Sequence, residues 1–327
     1  MSRNLFLTGT GTDIGKTYIA GGSASLNMLR STWGVFFNKR IVNDAQLPDL
    51  YQTVRDGKWT LDLLKTYGKK VSKDVNGDGV YEYGVDTYGV GLQYEIVLPL
   101  FQSTGAKAVT VNKDGSYEVT LDSPKMMDVM EKVYNFMNVD SGFMTNTDTR
   151  SESDKWVQMR NRFMEGLIVF YMGHLSTPVL IPDMKDDFGI LPFPKVNESD
   201  EYASSFQYNN YDGISIPKIA SNPDRTGMLT EAYNMMAYDT VREAWYDYTL
   251  TLRSARDNES GEMLDIIFGA RGVDVGLLFN TTTKLQTTLQ DAMKASSFTW
   301  ASTVAASKDA LVANMKTVVE SLDKAVN

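Results

Sequence analysis

If the segment TGTGTDIGKT at residues 8–17 works as a phosphate-binding loop, it restricts the chain to a small number of folds. In such a loop, glycines such as Gly9 and Gly15 let backbone N–H groups surround an anion. A lysine such as Lys16 reaches the terminal phosphates, and the hydroxyl of Thr17 binds magnesium. The loop must connect a strand to a helix whose N-terminus faces the phosphates, with a parallel sheet behind it. The preceding RNLFL predicts that strand.

The helix expected after this loop is interrupted early. Gly21 and Gly22 together cost about 2 kcal/mol relative to alanine in a helix interior. The long TGTxTxxGKT spacing resembles the start of the dethiobiotin synthetases, an ATP-dependent family of biotin synthesis, and the resemblance covers residues 1–21. It implies one alternative function, an ATP-dependent enzyme of that type. Because nothing downstream continues the resemblance, we interpret residues 1–22 as a leader segment joined to another protein.

Composition excludes several classes of function. A net charge of −9 argues against a nucleic-acid partner, because phosphate contacts need clustered lysine and arginine. The longest apolar run, GLIVFYMG, is far shorter than the about 20 residues of a membrane span. The absence of cysteine excludes disulfides, thiolate metal sites and a cysteine nucleophile. The only histidine is His174, so acid–base chemistry would fall to carboxylates, lysine or tyrosine.

From residue 23 onward, strand and helix patterns alternate, which predicts an α/β fold. TWGVFF predicts a strand over Trp33–Phe37. The spacing of apolar residues after Thr60, which is a suitable N-cap, predicts an amphipathic helix. Further on, NKDGSYEV predicts a hairpin that turns at Asp114-Gly115, and Ser123-Pro124 predicts the start of a helix.

This order of elements resembles that of the extracellular solute-binding proteins of ABC importers, of the sugar-binding type. RFMEGLIVFYMGH, FGILPFP and YDGISIPKIASNP continue the resemblance, which covers about residues 23–320. It implies a periplasmic-binding-protein-like fold of two lobes joined by hinge strands. It also implies a non-enzymatic monomer that binds a small solute, a carbohydrate, between the lobes and delivers it to the transporter's membrane subunits. Its place of action would be outside the cytoplasmic membrane.

The resemblance also implies a division of the chain. Residues 38–210 correspond to the C-terminal lobe, and residues 23–37 and 211–275 to hinge strands and a remnant of the N-terminal lobe. Residues 276–327 correspond to C-terminal helices. Family members carry an export signal and most of the N-terminal lobe where this sequence has its leader, so we expect an incomplete lobe with unpaired strand edges. A truncated receptor fragment that binds nothing is therefore a further alternative.

Sugar-binding sites combine aromatic faces with planar polar side chains, so aromatic residues near hinge strands or in loops are the candidates. The predicted ligand-binding residues are Trp33, Phe37, Tyr94, Trp156, His174, Tyr211 and Asp212. Packing in the core is the alternative role for each aromatic residue, and a structural hydrogen bond is the alternative for His174.

One segment suggests a metal ion. Asp74, Asn76 and Asp78 form DxNxD, the first half of a calcium-binding loop. The twelfth position of that loop is Val85 rather than a bidentate glutamate, so an Asx-rich turn is the alternative. Calcium is the only cofactor that the sequence suggests. Adjacent carboxylates such as Asp186-Asp187 lie in polar loop sequence and predict no catalytic pair.

Overall fold

The computed structural model describes residues 6–8, 19–21, 25–82, 84–92, 94–112, 116–138, 142–144, 155–207, 214–215, 221–251 and 258–326. Its strands are β1 (Phe6–Thr8), β2 (Ile19–Gly21), β3 (Trp33–Asn38), β4 (Tyr88–Gly91), β5 (Val109–Val111), β6 (Tyr117–Val119), β7 (Phe143–Met144), β8 (Ile168–His174), β9 (Phe188–Leu191) and β10 (Ile214–Ser215).

The helices of the described residues are α1 (Leu26–Arg30), α2 (Lys39–Asp44), α3 (Leu50–Arg55), α4 (Leu61–Val71), α5 (Val97–Ser103), α6 (Pro124–Met137), α7 (Lys155–Met164), α8 (Thr177–Leu180), α9 (Pro223–Asp239), α10 (Val241–Thr251), α11 (Asn258–Gly269), α12 (Val275–Leu278), α13 (Asn280–Thr283), α14 (Leu285–Lys294) and α15 (Trp300–Val326). A short 3₁₀ helix spans Tyr94–Ile96.

A five-stranded mixed sheet in the order β7-β4-β8-β3-β9 organises the fold. Strands β7, β4 and β8 run parallel, and β3 runs antiparallel to both of its neighbours, β8 and β9. Every residue of β3 is buried. Its continuous apolar sequence, WGVFF, is typical of a strand that is covered on both faces. The structure therefore confirms the predicted α/β fold and the strand that begins at Trp33.

Side chains of β3 alternate between two cores. Val35 and Phe37 belong to a large cluster on one face, whereas Phe36 belongs to a second cluster on the other. The large cluster also contains Trp300 from α15, whose indole Nε1 donates a hydrogen bond of 3.0 Å to the carbonyl of Leu121. The C-terminal helices thus pack against the same core as the five-stranded sheet.

Helix starts follow the capping signals in the sequence. The side chain of Thr60 accepts a hydrogen bond from the backbone N–H of Leu63 at the start of α4. Ser123 does the same for Met126 at the start of α6, where Pro124 takes the first helical position. Both predicted helix starts are confirmed. Strands β5 and β6 pair antiparallel on either side of Asp114-Gly115, as the hairpin prediction requires.

The leader segment differs from the expected phosphate-binding loop. Gly9, Gly15, Lys16 and Thr17 lie outside the described residues, but β2 begins two residues after Thr17. Strand β2 pairs antiparallel with β1 and also with β10. The helix required at residues 19–21 is therefore replaced by a strand, which pairs with Ile214–Ser215, about 195 residues later in the chain. Strand β10 pairs with β2 along one edge and lies at the end of the strand order β1-β2-β10.

The predicted division between residues 37 and 38 falls within β3, which runs to Asn38. This strand is hydrogen-bonded along both edges inside the five-stranded sheet, so it does not end at Phe37. Helix α11, which was assigned to the remnant of the N-terminal lobe, packs against β9 of the same sheet. The division into two lobes as such stays a prediction.

Candidate functional site

The carboxyl edge of the five-stranded sheet is the natural place for a ligand. Open α/β sheets bind ligands outside the carboxyl ends of their parallel strands, near a change in strand order. Here β4, β7 and β8 end at this edge, and the antiparallel β3 begins there. Trp33 is the first residue of β3, and His174 is the last residue of β8.

Residues 204–207 extend this edge alongside the start of β3. The backbone N–H of Trp33 donates to the carbonyl of Ser205 (3.0 Å), and that of Gln207 donates to the carbonyl of Ser31 (2.9 Å). The pairing is antiparallel, so Ser205 lies opposite Trp33 and Gln207 lies opposite Ser31. On its other side, Trp33 lies opposite His174.

Residues directly opposite each other, and residues two apart along a strand, project from the same face of a sheet. The side chains of Trp33, His174, Ser205 and Gln207 therefore share one face at the carboxyl edge, and Ser31, the turn residue that ends α1, lies opposite Gln207 at the margin of this group. We call this group the edge cluster, and its members are Ser31, Trp33, His174, Ser205 and Gln207.

The polar atoms of the edge cluster are unusual. Ser31 Oγ, Ser205 Oγ and Gln207 Oε1 are buried and have no hydrogen-bond partner within the described part of the chain. Most buried polar groups in proteins are hydrogen-bonded, so three exceptions at one edge of the sheet call for an explanation. Hydroxyl and amide groups next to an aromatic ring are the groups that recognise sugars.

The two rings of the edge cluster pack against each other. The centroids of Trp33 and His174 are 4.0 Å apart, with 49° between the ring planes. Phe193 also packs edge-on against the indole, with 6.3 Å between ring centroids, and Trp33 is only 2 % exposed. Burial lowers the pKa of His174 from 6.5 to about 4, because a desolvated imidazolium is unfavourable. His174 is therefore neutral at pH 7 and contributes hydrogen-bonding atoms rather than charge.

The other predicted ligand-binding residues do not join this group. Phe37 lies four residues along β3 and packs edge-on against Tyr51 in the core, with 5.5 Å between ring centroids. The backbone of Tyr94 begins the 3₁₀ helix that follows β4, and Trp156 is in the first turn of α7. The side chains of Tyr94 and Trp156, together with all of Tyr211 and Asp212, lie outside the described residues.

Sequence patterns did not identify Ser31, Ser205 and Gln207. Serine and glutamine in polar segments are ordinary in any soluble protein. Only the pairing of residues 31–33 with residues 205–207, about 170 positions later, distinguishes them.

The suggested calcium loop forms an Asx-rich turn. The two carboxylate oxygens of Asp74 accept hydrogen bonds from the backbone N–H groups of Gly77 (2.7 Å) and Gly79 (2.8 Å). The amide of Asn76 donates to Asp78, and Asp78 in turn accepts from Val80 N–H. Among the described residues, no group of three or more histidine, cysteine or acidic side chains is arranged to hold a metal ion. Calcium binding stays a prediction, and the geometry favours a turn that the protein itself satisfies.

Comparison with known proteins identifies the fold. The sugar-binding protein MalE from Xanthomonas citri is 13% identical, with a TM-score of 0.59 over 88% of this chain and 70% of that chain. MalE from Bdellovibrio bacteriovorus, bound to maltotriose, is 15% identical, with a TM-score of 0.54 over 94% and 74% of the two chains. UgpB from Mycobacterium tuberculosis, in complex with glycerophosphocholine, is 15% identical, with a TM-score of 0.55 over 89% and 71%.

At these identities the likeness establishes the fold alone, which this chain shares with these three solved proteins. No protein-family model matches the chain, and no curated protein sequence matches it. Across the described ranges, no helix is both long enough and apolar enough to cross a membrane.

Proposed function

We propose that this protein is the substrate-binding component of an ABC importer and that it holds a carbohydrate at the edge cluster. The observation that carries the proposal is the row Ser205–Trp33–His174, which is flanked by buried polar atoms of Ser31 and Gln207 that lack partners in the described part of the chain. Its support is the shared fold, because solved proteins of this fold include sugar-binding proteins.

Each group has a distinct role in this proposal. The Trp33 indole offers an apolar face to the C–H surface of a sugar ring. The hydroxyls of Ser31 and Ser205 and the amide of Gln207 bond the sugar hydroxyls, and neutral His174 contributes a ring nitrogen. Trp33 is covered in this conformation, and the rings of His174 and Phe193 pack against it, so a ligand reaches the indole only after these side chains move away from it.

The proposal assigns no bond-breaking chemistry to the protein. Of the adjacent carboxylates in the sequence, Asp186 accepts hydrogen bonds from Arg40 and Asn38 and serves a surface ion pair. The partners are a small sugar and the membrane subunits of the importer, the place of action is outside the cytoplasmic membrane, and the protein acts as a monomer without a cofactor.

Isothermal titration calorimetry with maltose and maltotriose tests the proposal. We expect saturable heat with at least one of these sugars. Gln207→Ala should weaken binding about tenfold, the equivalent of one lost hydrogen bond of about 1.4 kcal/mol. Gln52→Ala is the matched control, at an exposed position of α3 beside Tyr51, which packs on Phe37 at the other end of β3, and it should bind like the parent protein.

The competing interpretations give different results in the same experiment. Heat with ATP–magnesium and none with sugars would favour the enzyme alternative. A cooperatively folded protein that binds neither would be a non-binding receptor fragment. Equal affinity in the Gln207→Ala variant and the parent would place the sugar elsewhere.

A further inference from the structure

Arg271 is a buried cation on the other face of the same sheet edge. Only 5 % of its surface is exposed. Residues 270–272 pair with Ser204, whose N–H donates to the carbonyl of Ala270 (3.0 Å) and whose carbonyl accepts from Gly272 N–H (2.8 Å). Ser204 and Arg271 are bridge partners, so they project from the same face. Ser204 alternates with Ser205, so this face is opposite to that of the edge cluster.

A second guanidinium, that of Arg242, contacts the same pair of packed aromatic rings as Arg271. The guanidinium of Arg271 is 4.9 Å from the ring centroid of Phe268, and that ring packs against Tyr246 at 5.1 Å. The guanidinium of Arg242 lies 5.1 Å from the Tyr246 ring and 3.9 Å from that of Tyr238. Burial, with a contribution from Arg242, lowers the pKa of Arg271 to about 10, so the group is still cationic at pH 7.

The positive charge of these two arginines is not balanced within the described residues. The carboxylate paired with them there is Asp265, which is 67% exposed and 3.8 Å from Arg242. Nε and Nη1 of Arg271 and Oγ of Ser204 are buried and make no hydrogen bond in that part of the chain. The carboxyl end of α11 supplies only a partial negative charge. Buried cations are normally paired, because desolvating an unpaired charge is costly.

We infer that Arg271, Arg242 and Ser204 form a binding site for a small oxyanion of the phosphate or carboxylate type. Guanidinium groups match the geometry of these anions and form strong charge-assisted hydrogen bonds with them. The Ser204 hydroxyl adds a neutral donor beside the Arg271 donors. The site lies on the opposite face from the edge cluster, so it is independent of the proposed sugar site. Its occupant is either an inorganic anion or the anionic group of an organic solute.

Thermal unfolding in sodium phosphate, compared with sodium chloride of equal ionic strength, tests this inference. Phosphate should raise the midpoint of the parent protein, and the increase should disappear in Arg271→Met, which keeps the apolar stem of the side chain and removes its charged guanidinium. Arg30→Met, at an exposed position of α1, is the matched control and should keep the increase. The inference would be overturned if neither inorganic phosphate nor glycerol phosphate raised the midpoint of the parent protein. It would also be overturned if Arg271→Met retained the increase.

A parallel arm distinguishes the two sources of the anion. If glycerol phosphate raises the unfolding midpoint no more than inorganic phosphate does, the occupant is a free anion. If only glycerol phosphate raises the midpoint, the occupant is the anionic group of an organic solute. Neutral glycerol is the control for the uncharged part of glycerol phosphate.

Two further readouts separate binding from a structural role. In chloride, Arg271→Met should be at least as stable as the parent, because it removes an unpaired buried charge. Should that variant fail to fold, Ser204→Ala replaces it and should weaken phosphate binding severalfold, and unchanged affinity would overturn the inference. Sugar titrations should be unaffected by Ser204→Ala, so failure of this site is distinguishable from failure of the sugar site.

Discussion

Acidification should destabilise the protein through His174. The pKa of its imidazole falls from 6.5 to about 4 on folding, because the ring is buried against Trp33. The folded state favours the neutral imidazole, which is why the pKa is lowered. The contribution of His174 to the free energy of unfolding is therefore complete above pH 6.5 and is lost as the pH falls toward 4. The whole difference is worth about 3 kcal/mol of unfolding free energy.

The only histidine of the chain makes this effect directly measurable. NMR of ¹³C-labelled histidine should give a single titration with a pKa near 4. Urea unfolding should show that the parent protein loses about 2.5 kcal/mol more than His174→Gln between pH 7.5 and pH 4.5. The glutamine variant is the control because it lacks the titrating ring and keeps the acid-labile carboxylates.

A measured pKa between 6 and 7 would refute this reasoning. The imidazole would then be in contact with water, and the packing of Trp33 against His174 at the carboxyl edge would be wrong. Equal loss of stability in the parent and His174→Gln would lead to the same conclusion.

Two substitutions test the packing that positions the site. Gly89→Ala should abolish the cooperative unfolding transition seen by circular dichroism, because an added Cβ would lie 1.9 Å from the backbone oxygen of Gly68. A transition near that of the parent protein would contradict the close approach of β4 and α4. Asp274→Ala should lower the free energy of unfolding, measured in urea, by about 1–3 kcal/mol. Its carboxylate accepts a hydrogen bond from Leu277 N–H at the start of α12 and another from the buried Ala108 N–H. A loss below about 0.5 kcal/mol would show that these hydrogen bonds contribute little.

Local features of the fold were predictable from the sequence, because they depend on residues a few positions apart. The caps at Thr60 and Ser123 and the apolar run that starts at Trp33 are of this kind. The leader was not predictable. Its phosphate-loop motif predicts a helix after Thr17. In the structure, Ile19–Gly21 is instead a strand, because it pairs with Ile214–Ser215. Long-range pairing of this kind leaves no local trace.

The candidate site shows the same division. Trp33 and His174 were identifiable as polar or aromatic residues at strand ends. Phe37 has the same aromatic character and lies on the same strand and in the same core cluster as Trp33, but it is at the far end of the strand, where it packs against Tyr51. Ser205 and Gln207 acquire a role only through the register that places them beside β3. Register depends on tertiary pairing, which one sequence does not reveal.

The most direct test of the edge cluster follows the His174 imidazole by NMR while maltotriose is added at pH 7. The account predicts a saturable change in the His174 chemical shift that tracks the binding heat measured by calorimetry. Binding heat without movement of this resonance would place the sugar outside the edge cluster and contradict the central claim.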